Sequence, residues 1–110
     1  MNNIQKKLDT STYLKVWNNK PHECEECGKW LEYAVQENVI KDRSVFSHIL
    51  SKGAFPEHRN NVENFNLLCF EHHQQYEFGN RKSMKIFKNN ELIIDKLKRK
   101  YNNLKIKFYE

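Results

Sequence analysis

The chain has 110 residues, of which 38% are hydrophobic and 30% charged, and a formal net charge of +5. A length of this order makes one domain that buries only about 60 to 70% of its unfolded surface, so the core is modest. There is no run of about 18 apolar residues and no charged-then-apolar leader, so neither a membrane span nor a secretory signal is expected.

Residues 1–20 read as an arm or a short helix. Ile4 and Leu8, then Tyr13 and Trp17, are spaced by four, but Thr10-Ser11-Thr12 interrupts them, and packing as a strap on the core is the alternative. Pro21 opens a knuckle holding Cys24 and Cys27. Trp30 to Val35 is aromatic and aliphatic enough for a strand, and Gln36 to Arg43 suits a turn or loop. Ser44 to Leu50 reads as the next strand and carries His48. Ser51 to Glu63, with Gly53, Pro56 and Asn60-Asn61, is a loop of a length usually associated with function. Phe65 to Leu68 is a short buried strand, and Phe70 to Phe78 a helix stopped by Gly79-Asn80. Ile93, Leu97, Tyr101, Leu104 and Phe108 then mark one face of an amphipathic helix that Asn89 or Asn90 caps. Residues 81–110 hold ten Lys or Arg against three acids, a net +7, leaving −2 for the first eighty residues. Such a basic segment suits phosphate-backbone binding, although solvation of a helix surface explains lysines equally well.

The three cysteines and one histidine are spaced as Cys24-x2-Cys27, 41 intervening residues, then Cys69-x2-His72. Each pair is short enough to direct both side chains at one ion, and two pairs complete the closed tetrahedral shell that Zn²⁺ prefers. An odd cysteine count argues against a disulfide, and thiolates that must stay reduced make a cytoplasmic setting the default. Because adjacent helical side chains diverge by about 100°, His73 is expected to face a different site from His72, the alternative being His73 in the zinc shell instead.

Taken together, the two knuckles, Phe46-Ser47-His48-Ile49-Leu50, Glu63-Asn64-Phe65-Asn66-Leu67-Leu68-Cys69 and His72-His73 resemble the HNH nuclease family over about Cys24 to Phe78, half the chain. Lys52-Gly53, Pro56 and Arg59 look like the loop of its small phage-type members. The resemblance implies an α+β fold: a small zinc-stabilised ββα-metal domain with a C-terminal amphipathic basic helix. Residues 1–110 then form a single domain, with an N-terminal arm or helix (1–20), knuckles plus ββα core (21–80) and a basic helical extension (81–110). It also implies DNA as partner, in a bacterial or phage-infected cell, and cleavage of phosphodiesters with His48 as general base. Asn64 would fix the loop and the base, and His73 would bind one divalent ion.

Many relatives place Asp or His immediately before the catalytic His as a metal ligand; here that position is Ser47. Glu77, one helical turn beyond His73, can supply a carboxylate, and it favours a hard ion such as Mg²⁺ or Mn²⁺. Arg59 is a candidate phosphate clamp, with Lys52, Lys96, Arg99 and Lys100 as further nucleic-acid contacts. His58, in the loop, is a further candidate ligand or phosphate contact, although by itself it reads as a surface residue. A zinc-stabilised nucleic-acid-binding module without hydrolysis is the other function that fits these residues.

Overall fold

Asn3–Asn18 contains no glycine or proline and forms helix α1. A computed structural model describes residues 3–99, so Lys100 and the expected face positions Tyr101, Leu104 and Phe108 lie outside the described residues. The buried residues of α1 are Asp9, Thr12, Tyr13, Val16 and Trp17, whose spacing defines a single helical stripe. Ile4 and Leu8 are exposed, so the fourfold spacing that they begin is not the packing face. Thr10-Ser11-Thr12 does not break the helix, because the Thr12 hydroxyl donates back to the Leu8 carbonyl at 2.9 Å.

The first knuckle follows. The Gly28 N–H donates to the Cys24 carbonyl at 2.8 Å, and Gly28 has φ +79, a left-handed conformation that an L side chain resists. The stretch expected as a strand from Trp30 to Val35 instead contains a 3-10 turn, Glu32–Ala34, and only then enters β1 (Val35–Gln36). β1 pairs antiparallel with β2 (Val39–Ile40). Glu37 and Asn38 between them both have positive φ, at 51° and 62°, which is the two-residue turn that matches strand twist. Short-range turn geometry outweighs the β-propensity of the aromatic stretch here.

β3 (Phe46–His48) and β4 (Phe65–Leu67) form a second antiparallel pair, with Phe46 opposite Leu67, Ser47 opposite Asn66 and His48 opposite Phe65. Helix α2 (Phe70–Phe78) begins just after β4, so strand, loop, strand and helix succeed one another as expected. Tyr76 of α2 donates to the Ile49 carbonyl at 2.6 Å, anchoring the helix to the end of β3. α3 (Lys85–Asn89) and helical residues 91–99, here α4, complete a small α+β fold with two short antiparallel sheets and four α-helices among the described residues.

The core lies between α1, the β3–β4 pair and α2. Tyr13 stacks on Phe46 with ring centroids 4.6 Å apart and meets Phe65 edge-on at 5.6 Å. Val16, Leu31, Val45, Leu67 and Leu68 fill the space around them. Asn90 does not cap α4 with its side chain; that amide is paired reciprocally with Asn66 of β4, at 2.7 and 3.3 Å. Leu97 of α4 is fully buried, and its carbonyl accepts from His58 Nε2 at 2.9 Å. His58 is therefore an interior clamp between loop and helix and not the surface residue that its loop position suggested. No helix among the described residues is long and apolar enough to cross a membrane.

Candidate metal centre and adjoining cleft

The knuckles meet although 41 residues separate them, because the first is hooked onto β4. Glu25 donates its N–H to the Leu67 carbonyl at 2.8 Å, and its carboxylate accepts from the Leu67 N–H and from Asn66 Nδ2. Cys69, the N-cap of α2, and His72 in its first turn follow β4 closely, so anchoring Glu25 to Leu67 brings all four side chains together. Their ligand atoms lie within 4.8 Å of one another.

Individual separations are 3.7 Å for Cys24 Sγ to His72 Nδ1, 3.2 Å for Cys69 Sγ to His72 Nδ1 and 3.9 Å for Cys27 Sγ to Cys69 Sγ. A tetrahedral zinc site with Zn–S of about 2.3 Å has S···S edges of about 3.8 Å and S···N edges of about 3.6 Å. A disulfide would require about 2.05 Å, and all three cysteines are free. Burial opposes ionisation of Cys24, but backbone N–H groups of Cys69, Cys27 and Glu26 bring its thiol down to about 7. Burial pushes Cys69 up to about 11, and the neighbouring Cys24 charge adds to the rise. Sulfurs this close resist holding two negative charges, and a divalent cation turns that repulsion into attraction. The cluster can thus hold a metal ion, and its donor set is compatible with zinc. His72, not His73, joins it.

His73 faces the other way, into a cleft of about 420 Å³ whose lining includes Tyr13, Arg43, His48, Lys52, His73 and Glu77. His73 Nδ1 donates to the Ser44 carbonyl, so in the neutral tautomer the lone pair is on Nε2, which lies 3.8 Å from Glu77 Oε1. On β3, His48 donates from Nε2 to the Arg59 carbonyl at 3.1 Å. A carbonyl only accepts, so this bond leaves Nδ1 of the neutral ring as the basic nitrogen. Burial pushes the His48 imidazole below its ordinary value, as does the charge of Lys52; the bond to Arg59 and the charges of Asp9 and Glu77 oppose the shift.

Several expected site residues lie elsewhere. Asn64 is fully buried and does not line the cleft; it accepts from the Leu50 N–H at 2.8 Å and donates to the Leu50 and His58 carbonyls at 2.9 and 3.2 Å. It ties the two ends of the long loop together and so acts on the site through the backbone. Arg59 does not reach the cleft as a phosphate clamp, because its guanidinium is bound to Asp9 of α1 at 2.8 and 3.1 Å. Lys96 and Arg99 are surface residues paired with Glu63 and Asp95. Ser47 is 1% exposed and sits between Phe46 and His48, the two β3 residues that line the cleft, so strand alternation directs it to the opposite face.

Tyr13 and Arg43 were not expected in the cleft. The Arg43 guanidinium lies 5.1 Å from the Tyr13 ring centroid, and only the packing of α1 against β3 brings them together. No family model matches the chain, and neither a curated protein nor a solved structure does.

Proposed function

We propose that the chain is a zinc-stabilised, metal-dependent endonuclease of the HNH type that hydrolyses phosphodiester bonds in DNA. The observation that carries this assignment is the arrival of His48, His73 and Glu77 in one cleft from two elements, β3 and α2, with a basic nitrogen directed on each histidine by a backbone carbonyl.

His48 Nδ1 takes a proton from the attacking water, whose oxygen forms the new bond to phosphorus as the bond to the leaving oxygen breaks. A neutral imidazole at physiological pH is suited to this role, and burial of His48 keeps it neutral. Lys52 supplies positive charge at the cleft, and Asn64 holds the loop against which His48 is oriented. His73 Nε2 and Glu77 would hold a hard divalent ion, Mg²⁺ or Mn²⁺, which when bound polarises the phosphate and stabilises the leaving oxygen. Cys24, Cys27, Cys69 and His72 would hold Zn²⁺ in a closed structural site, fixing the start of α2 and with it His73.

Incubation of the zinc-loaded protein with supercoiled plasmid tests the assignment. Nicking that requires added Mg²⁺ or Mn²⁺ is expected. Binding to plasmid without nicking under any divalent ion would leave a zinc-stabilised nucleic-acid-binding module instead.

A further inference from the structure

Asp9 is a carboxylate 4% exposed on the inner face of α1, outside the strand–loop–strand–helix unit that carries the cleft. It accepts from Arg59 Nε at 3.1 Å, Arg59 Nη2 at 2.8 Å, Asn60 Nδ2 at 3.1 Å and Gln5 Nε2 at 2.9 Å. Asn60 Nδ2 also reaches Thr12 Oγ1 at 3.1 Å, and Gln5 Nε2 reaches Asn60 Oδ1 at 3.1 Å. Thus three residues of α1, Gln5, Asp9 and Thr12, grip the Arg59-Asn60 dipeptide. Apolar residues of similar volume often stabilise a protein as well as a buried ion pair does, so stability alone is a weak reason for this network. Its geometry offers a stronger one.

The backbone carbonyl of Arg59 is the acceptor for His48 Nε2. Arg59 closes the 3-10 turn Pro56–His58 in the loop between β3 and β4, where a 3.2 Å bond from the Arg59 N–H to the Pro56 carbonyl, and no sheet ladder, holds the backbone. On one side Asn64 holds the neighbouring His58 carbonyl. On the other side the hold comes from Asp9, through the Arg59 and Asn60 side chains.

We propose that Asp9 is a positioning residue for His48, aiming the Arg59 carbonyl so that the imidazole keeps its proton on Nε2 and presents Nδ1 to the cleft; its catalytic consequence rests on the hydrolytic role of His48. Asp9 touches neither substrate nor reacting atoms. Its effect is on the tautomer and orientation of the ring.

Nitrogen-detected NMR of His48 in the zinc-loaded full chain at neutral pH reads the tautomer directly. Wild type is expected to show the Nε2–H form alone, and Asp9→Ala a mixture of the two neutral tautomers. Cleavage by Asp9→Ala is expected to fall about tenfold in kcat with KM for DNA little changed, and to fall no further when His48→Ala is already present. Asp9→Asn, which keeps the shape and weakens the grip, should lie between the two; it serves as the test variant if Asp9→Ala does not fold. A folded variant that retains zinc and the wild-type His48 tautomer overturns the proposal, leaving Asp9 as a tie between α1 and the loop. A tautomer shift in a protein whose wild type does not cleave DNA supports the positioning link and overturns the hydrolytic role.

Discussion

His73 Nε2 and Glu77 Oε1, one turn apart on α2, stand 3.8 Å from each other at the wall of the cleft, while the other nitrogen of His73 is tied to the Ser44 carbonyl. Adjacent ligands about 2.1 Å from one octahedral ion are about 3 Å apart, so a side-chain shift of under about 1 Å lets this pair share an ion. Glu77→Ala and His73→Ala are each expected to weaken Mn²⁺ binding at least about tenfold without releasing zinc. Mn²⁺ titration calorimetry alongside zinc analysis decides the point; unchanged affinity in Glu77→Ala places the ion elsewhere.

Ser47 does not share that wall. Its Oγ is buried and has no hydrogen-bond partner among the described residues. Removing an unpaired buried hydroxyl relieves a desolvation penalty, so Ser47→Ala is expected to be neutral or stabilising by about 1 kcal/mol. Ser47→Asp buries a carboxylate on the far side of β3 and should destabilise by about 3 kcal/mol or more, with no gain in Mn²⁺ affinity. Urea unfolding of the two variants measures both signs.

Zinc loss should be felt well beyond the knuckles. Glu26, between Cys24 and Cys27, accepts from the N–H groups of Lys85 and Ile86 at 3.2 and 3.0 Å, while Glu25 holds Leu67. The ion site is thereby coupled to α3 and to β4. A structural zinc contributes on the order of 10 kcal/mol, so a strong chelator at neutral pH should collapse the far-UV dichroism and the core together. A folded, zinc-free protein with unchanged melting temperature contradicts the structural role.

The pH dependence of cleavage follows from the His48 environment. Burial lowers its folded-state value below the ordinary 6.5, and only the neutral ring accepts a proton from water. Activity should therefore hold at neutral pH and fall as pH drops through that lowered value, which an NMR titration of His48 in zinc-loaded protein without a second ion locates independently. A His48 midpoint above 6.5 runs against the burial argument.

The parts of this structure legible in the sequence are those fixed by local chemistry. Knuckle spacing identified the Cys24, Cys27, Cys69 and His72 group, and glycine after the helix marked the end of α2 close to Phe78. Divergence of neighbouring helical side chains separated His73 from His72. Residues whose roles depend on distant partners are not legible in this way. Arg59 reads as a free cation until α1 supplies Asp9, fifty positions away, and His58 reads as a surface loop residue until Leu97 supplies a carbonyl. Trp30 to Val35 has strand composition, yet the 3-10 turn Glu32–Ala34 on one side and the Glu37-Asn38 turn on the other leave β1 only two residues. Asp9 carries no signal in the sequence at all, since a carboxylate among Thr and Lys on a helix ordinarily faces solvent.

Single-turnover cleavage of end-labelled DNA by zinc-loaded wild type and His48→Ala, with Mg²⁺ or Mn²⁺ and with binding measured in parallel, tests the central assignment most directly. The His48→Ala rate should drop by a factor on the order of 100 or more while DNA affinity persists, because proton transfer is lost and charge contacts are not. Equal cleavage by the two proteins, or none by either, would contradict His48 as the general base.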